Sequence, residues 1–241
     1  MLKNKVNNIG IVIVNWNCKE EIFKCLESIK KAGYLESVVV VDNGSENGSI
    51  KKIKDQRSNI KIIENGKNLG YGGGNNEGIK YLLDKKVKYI LILNPDTEIT
   101  RSTIPNLLKI MEKDKSIGIV GPKIYSSLAG HLGGVHTHTI RGGLPLIWSC
   151  GGVIDKNRFS GGLIGIGEID KGQYDEGANQ RDYIPGTAML VRAEVFKRIG
   201  LLEKLYFMYY EDVEFCHRAK KAGFRVKFVP TSKILHHESS S

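Results

Sequence analysis

The sequence predicts an α/β protein built on a doubly wound, mostly parallel sheet. Two observations support this prediction. Short apolar runs alternate with helical stretches through the first half of the chain, and most of these runs end in polar residues. The chain has 241 residues, of which 41% are hydrophobic, so it can bury one sizeable core. We therefore expect a single domain over residues 1–241.

In the first half of the chain, predicted strands alternate strictly with predicted helices. The first helix carries Ile22, Cys25, Leu26 and Ile29 on one face and stops at Gly33. In chain order, the predicted elements are strand Ile9–Val14, helix Lys19–Ala32, strand Ser37–Val41, helix Ser49–Gln56, strand Ile60–Ile63, helix Asn75–Lys85, strand Tyr89–Leu93 and helix Ser102–Lys113.

The second half is less regular. After a strand at Ile117–Tyr125, the chain from Ser126 to Gln180 is rich in glycine and has little periodicity, which predicts an irregular binding region or a flexible one. This stretch contains Trp148 and Gly151-Gly152. It also contains His131, His136 and His138, which lack a third metal ligand nearby and are interpreted as loop residues. After this stretch, regular secondary structure is predicted again. The predicted elements are a strand-like segment Tyr183–Val191, helices Ala193–Ile199 and Glu211–Ala222, and a last strand at Arg225–Val229.

The charge balance narrows the classes of ligand. Lys and Arg outnumber Asp and Glu by 36 to 26, a net charge of +10, which favours phosphate-bearing ligands or an anionic membrane face. The basic residues are scattered, so we expect no nucleic-acid partner. Four cysteines without metal spacing indicate free thiols in a reducing, cytoplasmic setting. No apolar run approaches ~20 residues, which leaves peripheral contact with the inner face of the cell membrane as the expected membrane association.

Polar residues follow the predicted strands. In open parallel sheets, ligands bind beyond the carboxyl ends of the strands. Those ends read Asn-Trp-Asn at 15–17, Asp-Asn-Gly-Ser at 42–45 and Asn-Pro-Asp at 94–96, and a loop rich in Asn and Gly at 68–76 precedes the third helix. These segments predict a site for a polar ligand with several parts.

A dinucleotide-binding fold is excluded, because the first strand–helix turn has no glycine where the G-x-G-x-x-G pattern requires three. No G-x-x-x-x-G-K-[ST] phosphate loop is present either. The cluster Gly72–Gly74 is either a flexible turn or a place where the backbone approaches a ligand. We favour the ligand because asparagines flank the cluster on both sides.

Five motifs occur in one order along the chain: Val-Asn-Trp-Asn at 14–17, Val-Val-Asp-Asn-Gly-Ser at 40–45, Asn-Leu-Gly-Tyr at 68–71, Asn-Pro-Asp at 94–96 and Tyr-Tyr-Glu-Asp-Val at 209–213. Together they resemble the family 2 glycosyltransferases of the GT-A fold, and the rhamnosyltransferase-like enzymes of cell-surface polysaccharide synthesis most of all. The resemblance spans Ile9 to His237. It implies a nucleotide-sugar-binding half over about 1–125 and an acceptor-binding half over about 126–241.

The resemblance also implies a metal site. A nucleotide-sugar donor loses a diphosphate, whose charge Mn²⁺ or Mg²⁺ neutralises. The family's Asp-x-Asp motif reads Asn94-Pro95-Asp96 here, so Asp96 is the expected metal ligand and Asn94 the expected partner of the ribose or of a water. His236, after the last strand, is expected to be a further metal ligand. On its own, Asn-Pro-Asp is also a common turn sequence, and paired histidines near a terminus are usually surface residues.

The remaining donor contacts follow from the same resemblance. Asp42 is expected to receive the base or the ribose, although it could equally cap the turn that follows it. The expected nucleotide-sugar-binding residues are Asn15, Asn17, Asp42, Asn68, Gly70, Asn75, Asn94 and Asp96.

Glu211 and Asp212 open a predicted helix. Acids are common at helix N-termini for electrostatic reasons alone. An inverting transfer also needs a base that takes the proton from the acceptor hydroxyl group, at a transition state that resembles an oxocarbenium ion. In the family this is the Asp of the Glu-Asp pair, so Asp212 is the expected base and Glu211 is expected to contact sugar hydroxyl groups.

The predicted function is therefore metal-dependent, inverting transfer of a sugar from a dTDP- or UDP-sugar, with rhamnose from dTDP-rhamnose as a specific candidate, to a glycan or lipid-linked acceptor. One alternative is a nucleotidyltransferase that makes the sugar nucleotide, but Asn15–Cys18 lacks the glycine- and lysine-bearing loop that such an enzyme needs. The other is a non-catalytic carbohydrate-binding module. The joint presence of Asp96, Asp212 and His236 argues against such a module.

Overall fold

The computed structural model describes residues 8–18, 20–56, 59–127, 145–155, 160–176 and 179–238. His131, His136 and His138 lie outside the described residues. The strands are β1 Ile9–Asn15, β2 Val38–Asp42, β3 Lys61–Glu64, β4 Tyr89–Leu93, β5 Thr97–Ile99, β6 Ile117–Ser126, β7 Ile147–Ser149, β8 Gly152–Asp155, β9 Ser160–Leu163, β10 Ala188–Arg192 and β11 Arg225–His236. The helices are α1 Glu21–Ala32, α2 Ser49–Gln56, α3 Gly70–Asp84, α4 Thr103–Lys113, α5 Ala193–Ile199 and α6 Glu211–Lys221.

Nine of the described strands form one large sheet in the order β3-β2-β1-β4-β10-β6-β11-β5, with β7 paired to β6. Strands β8 and β9 pair with each other in a separate two-stranded antiparallel sheet. The pairs among β1, β2, β3 and β4 are parallel, as predicted for the first half. Strand β10 then lies antiparallel between β4 and β6, and β5 pairs antiparallel with β11. The fold is α/β as predicted, with antiparallel pairing concentrated in the second half.

Helices cover both faces of the sheet, which confirms the doubly wound prediction. Ile9, Ile11 and Ile13 of β1 belong to a core with α1 and α4, whereas Val12 belongs to a second core with α3, α5 and α6. Successive residues of a strand point to opposite faces, and both faces of β1 are buried, so its sequence is a nearly continuous apolar run.

The glycines at 72–74 do not form the predicted loop, because α3 begins at Gly70 and includes them. A Cβ atom at Gly74 would lie 2.9 Å from the Asn43 side chain, and one at Gly72 would lie 3.0 Å from the Glu203 carbonyl oxygen. The close approach that favoured a ligand in the sequence is therefore an approach to neighbouring protein atoms. Small residues here let α3 pack closely against its neighbours.

The stretch predicted to be irregular holds three short strands, β7, β8 and β9, in its described part. Its anchor is Lys123 of β6, which is fully buried. The Lys123 ammonium group donates to Asp170 at 2.9 and 2.8 Å and to Asp175 at 2.5 Å, and Tyr125 donates to Asp170 at 2.6 Å. A buried cation with satisfied partners fixes the chain around residues 170–175 against the sheet. Within the described ranges, no helix has the length and apolar character that a membrane span requires.

Candidate active site

A cleft of about 640 Å³ opens where β1, β4 and β11 end and where α6 begins. The strand ends meet there because parallel strands present their carboxyl ends at one edge of the sheet, and β5 folds back beside the end of β11. Seven of the predicted site residues line this cleft: Asn68, Gly70, Asn94, Asp96, Glu211, Asp212 and His236.

Asp96 and His236 are neighbours in the cleft wall. The chain turns at Pro95-Asp96 and enters β5, whose Thr97 pairs with His236 of β11. The His237 N–H group donates to the Asp96 carbonyl oxygen at 2.8 Å, which locks the two segments together. The His236 Nε2 atom lies 3.3 Å from the Asp96 Oδ1 atom. The Asn-Pro-Asp segment thus forms a turn, and Asp96 lines the cleft at this turn. Its role as a metal ligand stays a prediction.

Only one of the two adjacent histidines faces the cleft. His236 is 7% exposed, and its ring packs edge-on against Trp148 with centroids 4.7 Å apart. His237 points the other way and pairs with Glu98 at 2.6 Å. This alternation is the normal consequence of strand geometry. The Glu98–His237 pair is therefore a natural internal comparison for the Asp96–His236 pair.

The Asp96–His236 geometry fits two ligands of one cation. Mg²⁺ binds its ligands at about 2.1 Å in octahedral geometry, which places adjacent ligand atoms about 3 Å apart, close to the 3.3 Å observed. Among the described residues, no group of three or more His, Cys, Asp or Glu side chains could hold a metal by itself. A cation here would therefore take its remaining ligands from phosphate oxygens or water.

Glu211 and Asp212 lie at the first turn of α6 on the same cleft. Glu211 is 4% exposed, and its Oε2 atom has no hydrogen-bond partner among the described residues. Burial, reinforced by the negative charge of Asp212, raises the pKa of Glu211 to about 7. Asp212 accepts N–H groups from Gly186 at 2.8 Å and Val213 at 2.7 Å. Burial still raises the pKa of Asp212 above its ordinary value.

Four predicted nucleotide contacts do not line the cleft. The Asn15 amide group donates to Asp42 at 3.2 Å, and Asp42 in turn accepts the Ser45 N–H group at 3.1 Å, so Asp42 does cap its turn. Asn17 is exposed and accepts the Glu46 N–H group at 2.9 Å. Asn75 is buried in α3, where it donates to the Tyr71 carbonyl oxygen at 3.0 Å. Contacts of Asn15, Asn17, Asp42 and Asn75 with a nucleotide remain predictions.

The family model for glycosyl transferase family 2 matches residues 10–200 of this chain, which include the Asn-Pro-Asp segment. The chain belongs to this family. It is a glycosyltransferase, which sets aside the carbohydrate-binding-module and nucleotidyltransferase alternatives.

Two curated relatives of this glycosyltransferase are named as enzymes that transfer sugars. The low-salt glycan biosynthesis hexosyltransferase Agl10 of Haloferax volcanii is 29% identical over 239 residues, covering 97% of this chain and 68% of the relative. The N-acetylglucosaminyl-diphospho-decaprenol L-rhamnosyltransferase of Mycobacterium tuberculosis is 26% identical over 219 residues, covering 85% of this chain and 67% of the relative. These relatives confirm the prediction that this glycosyltransferase is similar to the rhamnosyltransferase-like subgroup.

Solved structures confirm the GT-A fold of this glycosyltransferase. GalNAc-T7 with UDP, GalNAc and Mn²⁺ superposes with a TM-score of 0.70 at 17% identity, covering 95% of this chain and 44% of that one. The mannosyltransferase PcManGT of Pyrobaculum calidifontis, with GDP-Man and Mn²⁺, superposes with a TM-score of 0.62 at 15% identity, covering 97% of this chain and 57% of that one. The chain spans about half the length of these two proteins.

Several residues of the glycosyltransferase's cleft were not predicted as site residues. Asn43 donates to Asn68 at 3.3 Å and to the Gly70 carbonyl oxygen at 3.0 Å, which joins two of the sequence motifs. The sequence did contain a signal for Asn43, because this residue belongs to the Asp-Asn-Gly-Ser motif at 42–45. The sequence around Gly186 and Thr187 contains no motif that marks them as site residues. They reach the cleft only because β10, which follows them, pairs with β4. The other unpredicted lining residues include Trp16, Cys18, Tyr71, Tyr183 and Phe207.

Replacing Glu211 with glutamine is expected to stabilise the glycosyltransferase at pH 8 by about 1–3 kcal/mol and to have little effect at pH 4. The folded state binds the Glu211 proton more tightly than the unfolded state, whose pKa is near 4.5. The wild-type free energy of unfolding therefore loses this contribution as the pH rises from about 4.5 to about 7.

Urea unfolding of the two proteins at several pH values measures the difference. A Glu214→Gln control should show no such gain at high pH, because Glu214 is partly exposed and pairs with Arg218 on the same helix. Equal stability of Glu211→Gln and wild type at pH 8 would contradict the assigned burial of this carboxyl group.

Proposed function

We propose that this glycosyltransferase is a metal-dependent, inverting enzyme that moves a sugar from a nucleotide-sugar donor to a hydroxyl group of a glycan or lipid-linked acceptor. One observation supports it above all: the Asp96–His236 pair and the Glu211–Asp212 pair line the same cleft. The first pair suits a cation and the second suits proton transfer. A further relative, the dTDP-rhamnosyl transferase RfbF of Shigella flexneri, favours dTDP-rhamnose as the donor.

On the donor side, Asp96 and His236 would hold Mn²⁺ or Mg²⁺ against the diphosphate. When bound, the ion neutralises the charge that develops on the leaving group. Asn94 lines the cleft beside them, and its Oδ1 atom has no hydrogen-bond partner among the described residues. A buried acceptor without a partner is costly, so we assign Asn94 to a ribose hydroxyl group or to a bound water. Two structural neighbours of the same fold contain Mn²⁺, which supports this assignment.

On the acceptor side, Asp212 would take the proton of the attacking hydroxyl group. Its raised pKa makes it a better base than an exposed carboxylate, while the two N–H groups keep it ionised and oriented. Glu211, with a pKa of about 7, can donate a hydrogen bond to a sugar hydroxyl group as well as accept one. A single in-line attack aided by one base inverts the anomeric carbon.

A thermal-shift panel tests the donor proposal directly. dTDP-, UDP- and GDP-sugars are each added with Mn²⁺, with Mg²⁺ and with a chelator, because a ligand that binds only the folded state raises Tm. We expect one nucleotide class to raise Tm, and to do so more strongly with the cation than with the chelator. No shift for any nucleotide sugar with either cation would contradict the proposal.

We also propose that the enzyme meets a lipid-linked acceptor at an anionic membrane surface. Residues 205–210, Leu-Tyr-Phe-Met-Tyr-Tyr, form an aromatic segment beside the cleft, and four of them line it. Leu205 is 91% exposed and Tyr209 is 72% exposed. Aromatic and apolar side chains favour the membrane interface, and the net charge of +10 favours anionic lipid.

The Leu205→Glu variant is expected to bind vesicles of phosphatidylglycerol and phosphatidylethanolamine about fivefold more weakly than wild type in co-sedimentation, because a charge resists burial in the interface. Ile166→Glu is the matched control. Ile166 is also an exposed aliphatic residue, 58% exposed, but it lies outside the aromatic segment. Equal binding of Leu205→Glu and wild type, or equal losses in both variants, would show that this segment is not the contact surface.

A further inference from the structure

We propose that Tyr71 is a positioning residue for the base: its hydroxyl group fixes the Gly186 backbone, and Gly186 in turn holds the Asp212 carboxylate. The inference rests on the proposed role of Asp212. It gives a function to the tyrosine of the Asn-Leu-Gly-Tyr motif, which was assigned no role from the sequence.

Two hydrogen bonds connect the three residues. The Tyr71 hydroxyl group donates to the Gly186 carbonyl oxygen at 2.7 Å, and the Gly186 N–H group donates to the Asp212 Oδ2 atom at 2.8 Å. Tyr71 comes from the first turn of α3, Gly186 from the segment before β10, and Asp212 from the start of α6. Segments far apart in sequence thus meet at one glycine.

Gly186 needs an external restraint because glycine is the residue with the greatest backbone freedom. It is also shaped to receive the tyrosine, since a Cβ atom at this position would lie 2.7 Å from the Tyr71 hydroxyl oxygen. The neighbouring Thr187 carbonyl oxygen accepts the Asn94 N–H group at 3.0 Å. The short segment Pro185–Thr187 therefore touches the base on one side and the Asn-Pro-Asp segment on the other.

The end of α3 that carries Tyr71 is itself fixed. The Tyr71 N–H group donates to the Phe207 carbonyl oxygen at 2.8 Å. Gly70 has a φ of +74°, and a Cβ atom there would lie 2.4 Å from the same oxygen. Burial, followed by the charges of Glu211 and Asp212, raises the pKa of Tyr71 well above its ordinary value. The phenol therefore stays protonated and remains a donor across the working pH range.

The titratable groups around Asp212 are Glu211 and Cys216 on its own helix, Tyr71 on α3 and Tyr183 before β10. None of these four can carry a positive charge. Three backbone N–H groups, those of Gly186, Val213 and Asp212 itself, thus favour the charged carboxylate against burial. A looser Gly186 should leave Asp212 with a higher pKa and a less defined orientation.

Tyr71→Phe tests this with dTDP-rhamnose and Mn²⁺, where dTDP release is followed across pH. We expect kcat to fall about tenfold and KM to stay within about twofold, because the variant disturbs the base and not donor binding. The acidic limb of the kcat profile should move to higher pH, since Asp212 must be ionised to act. The control Tyr81→Phe changes a tyrosine of the same helix that does not line the cleft, and should behave like wild type.

A double-mutant cycle separates positioning from direct contact. If Tyr71 acts through Asp212, adding Tyr71→Phe to Asp212→Asn should cause no further loss. A full additional tenfold loss, or a rise in KM at constant kcat, would make Tyr71 a substrate contact and overturn the inference. Unchanged kcat and an unchanged pH profile in Tyr71→Phe would overturn it as well, while leaving the proposed function intact.

Carboxyl ¹³C NMR titration gives an independent measurement that needs no turnover, so it holds even if dTDP-rhamnose is not the donor. The Asp212 resonance, assigned by its absence in Asp212→Asn, should titrate at higher pH in Tyr71→Phe than in wild type. Identical titration curves in the two proteins would refute the positioning role.

Discussion

The Asp96→Ala variant is expected to lose turnover of nucleotide sugar by at least about a thousandfold in kcat/KM, and to lose the part of the donor-induced Tm shift that depends on Mn²⁺. Asp96, on the Asn-Pro-Asp turn, is the proposed carboxylate ligand of the cation, and its neighbour His236, at the end of β11, is by itself a weak ligand for Mg²⁺ or Mn²⁺. Without the carboxylate, the charge on the departing diphosphate has no fixed counter-ion.

Glu98→Ala is the matched control for this experiment. Glu98 lies two residues further along and pairs with His237, the residue after β11, and neither of these two lines the cleft. Removal of its carboxylate should therefore change stability slightly and leave turnover within about twofold of wild type. Equal activity in Asp96→Ala and wild type, or equal losses in both variants, would contradict the metal assignment.

The Asp212→Asn variant should lower kcat by about 100- to 10,000-fold, the range in which a general base contributes, while donor binding in the thermal-shift assay stays unchanged. Asparagine keeps the size of the side chain and can still accept the Gly186 N–H group through its oxygen. It cannot accept the proton of the acceptor hydroxyl group. The change therefore removes the base and keeps the Gly186 contact, whereas the contact with the Val213 N–H group is lost because the amide nitrogen of asparagine cannot accept it.

Glu214→Gln serves as the control, because Glu214 lies on the same helix and its carboxylate pairs with Arg218. We expect its kcat to equal that of wild type. A full rate in Asp212→Asn would refute the assignment of the base. Glu211, with its raised pKa and its Oε2 atom without a hydrogen-bond partner among the described residues, would then be the acid to test next.

The local pattern of apolar and polar residues along the sequence was enough to predict most of the first half of the fold. The strands β1, β2 and β4 are buried on both faces, so each appears in the sequence as a short apolar run. The start of α3 was placed too late, because three consecutive glycines disfavour a helix on propensity alone. Packing against Asn43 and Glu203 outweighs that cost, and such packing is not visible along a single stretch of chain.

The site was predicted only in part, because contacts between distant segments are not visible along a single stretch of chain. The polar end of a predicted strand pointed to Asn94 and Asp96, and the family resemblance assigned roles to Asp212 and His236. The pairing of β5 with β11, which places His236 beside Asp96, connects residues too far apart for periodicity to reveal. The role of Gly186 depends equally on the antiparallel entry of β10 beside β4. Long-range strand pairing decides which polar residues share the cleft, and the sequence pattern reports only which polar residues are available.

The pairing of β5 with β11, which brings His236 beside Asp96, also has a consequence for the synthesis of this chain on the ribosome. In the neighbouring Glu98–His237 pair, 139 positions of chain separate the two partners. A ribosome releases the N-terminal strands first, and they can begin to fold while the rest is still being made. Contacts between such distant positions form late, because a long loop must close before they gain anything. If Asp96 and His236 hold the cation as proposed, a nascent chain that has folded as far as Asp96 still lacks His236, and we expect cation-dependent donor binding only after β11 has emerged and paired with β5.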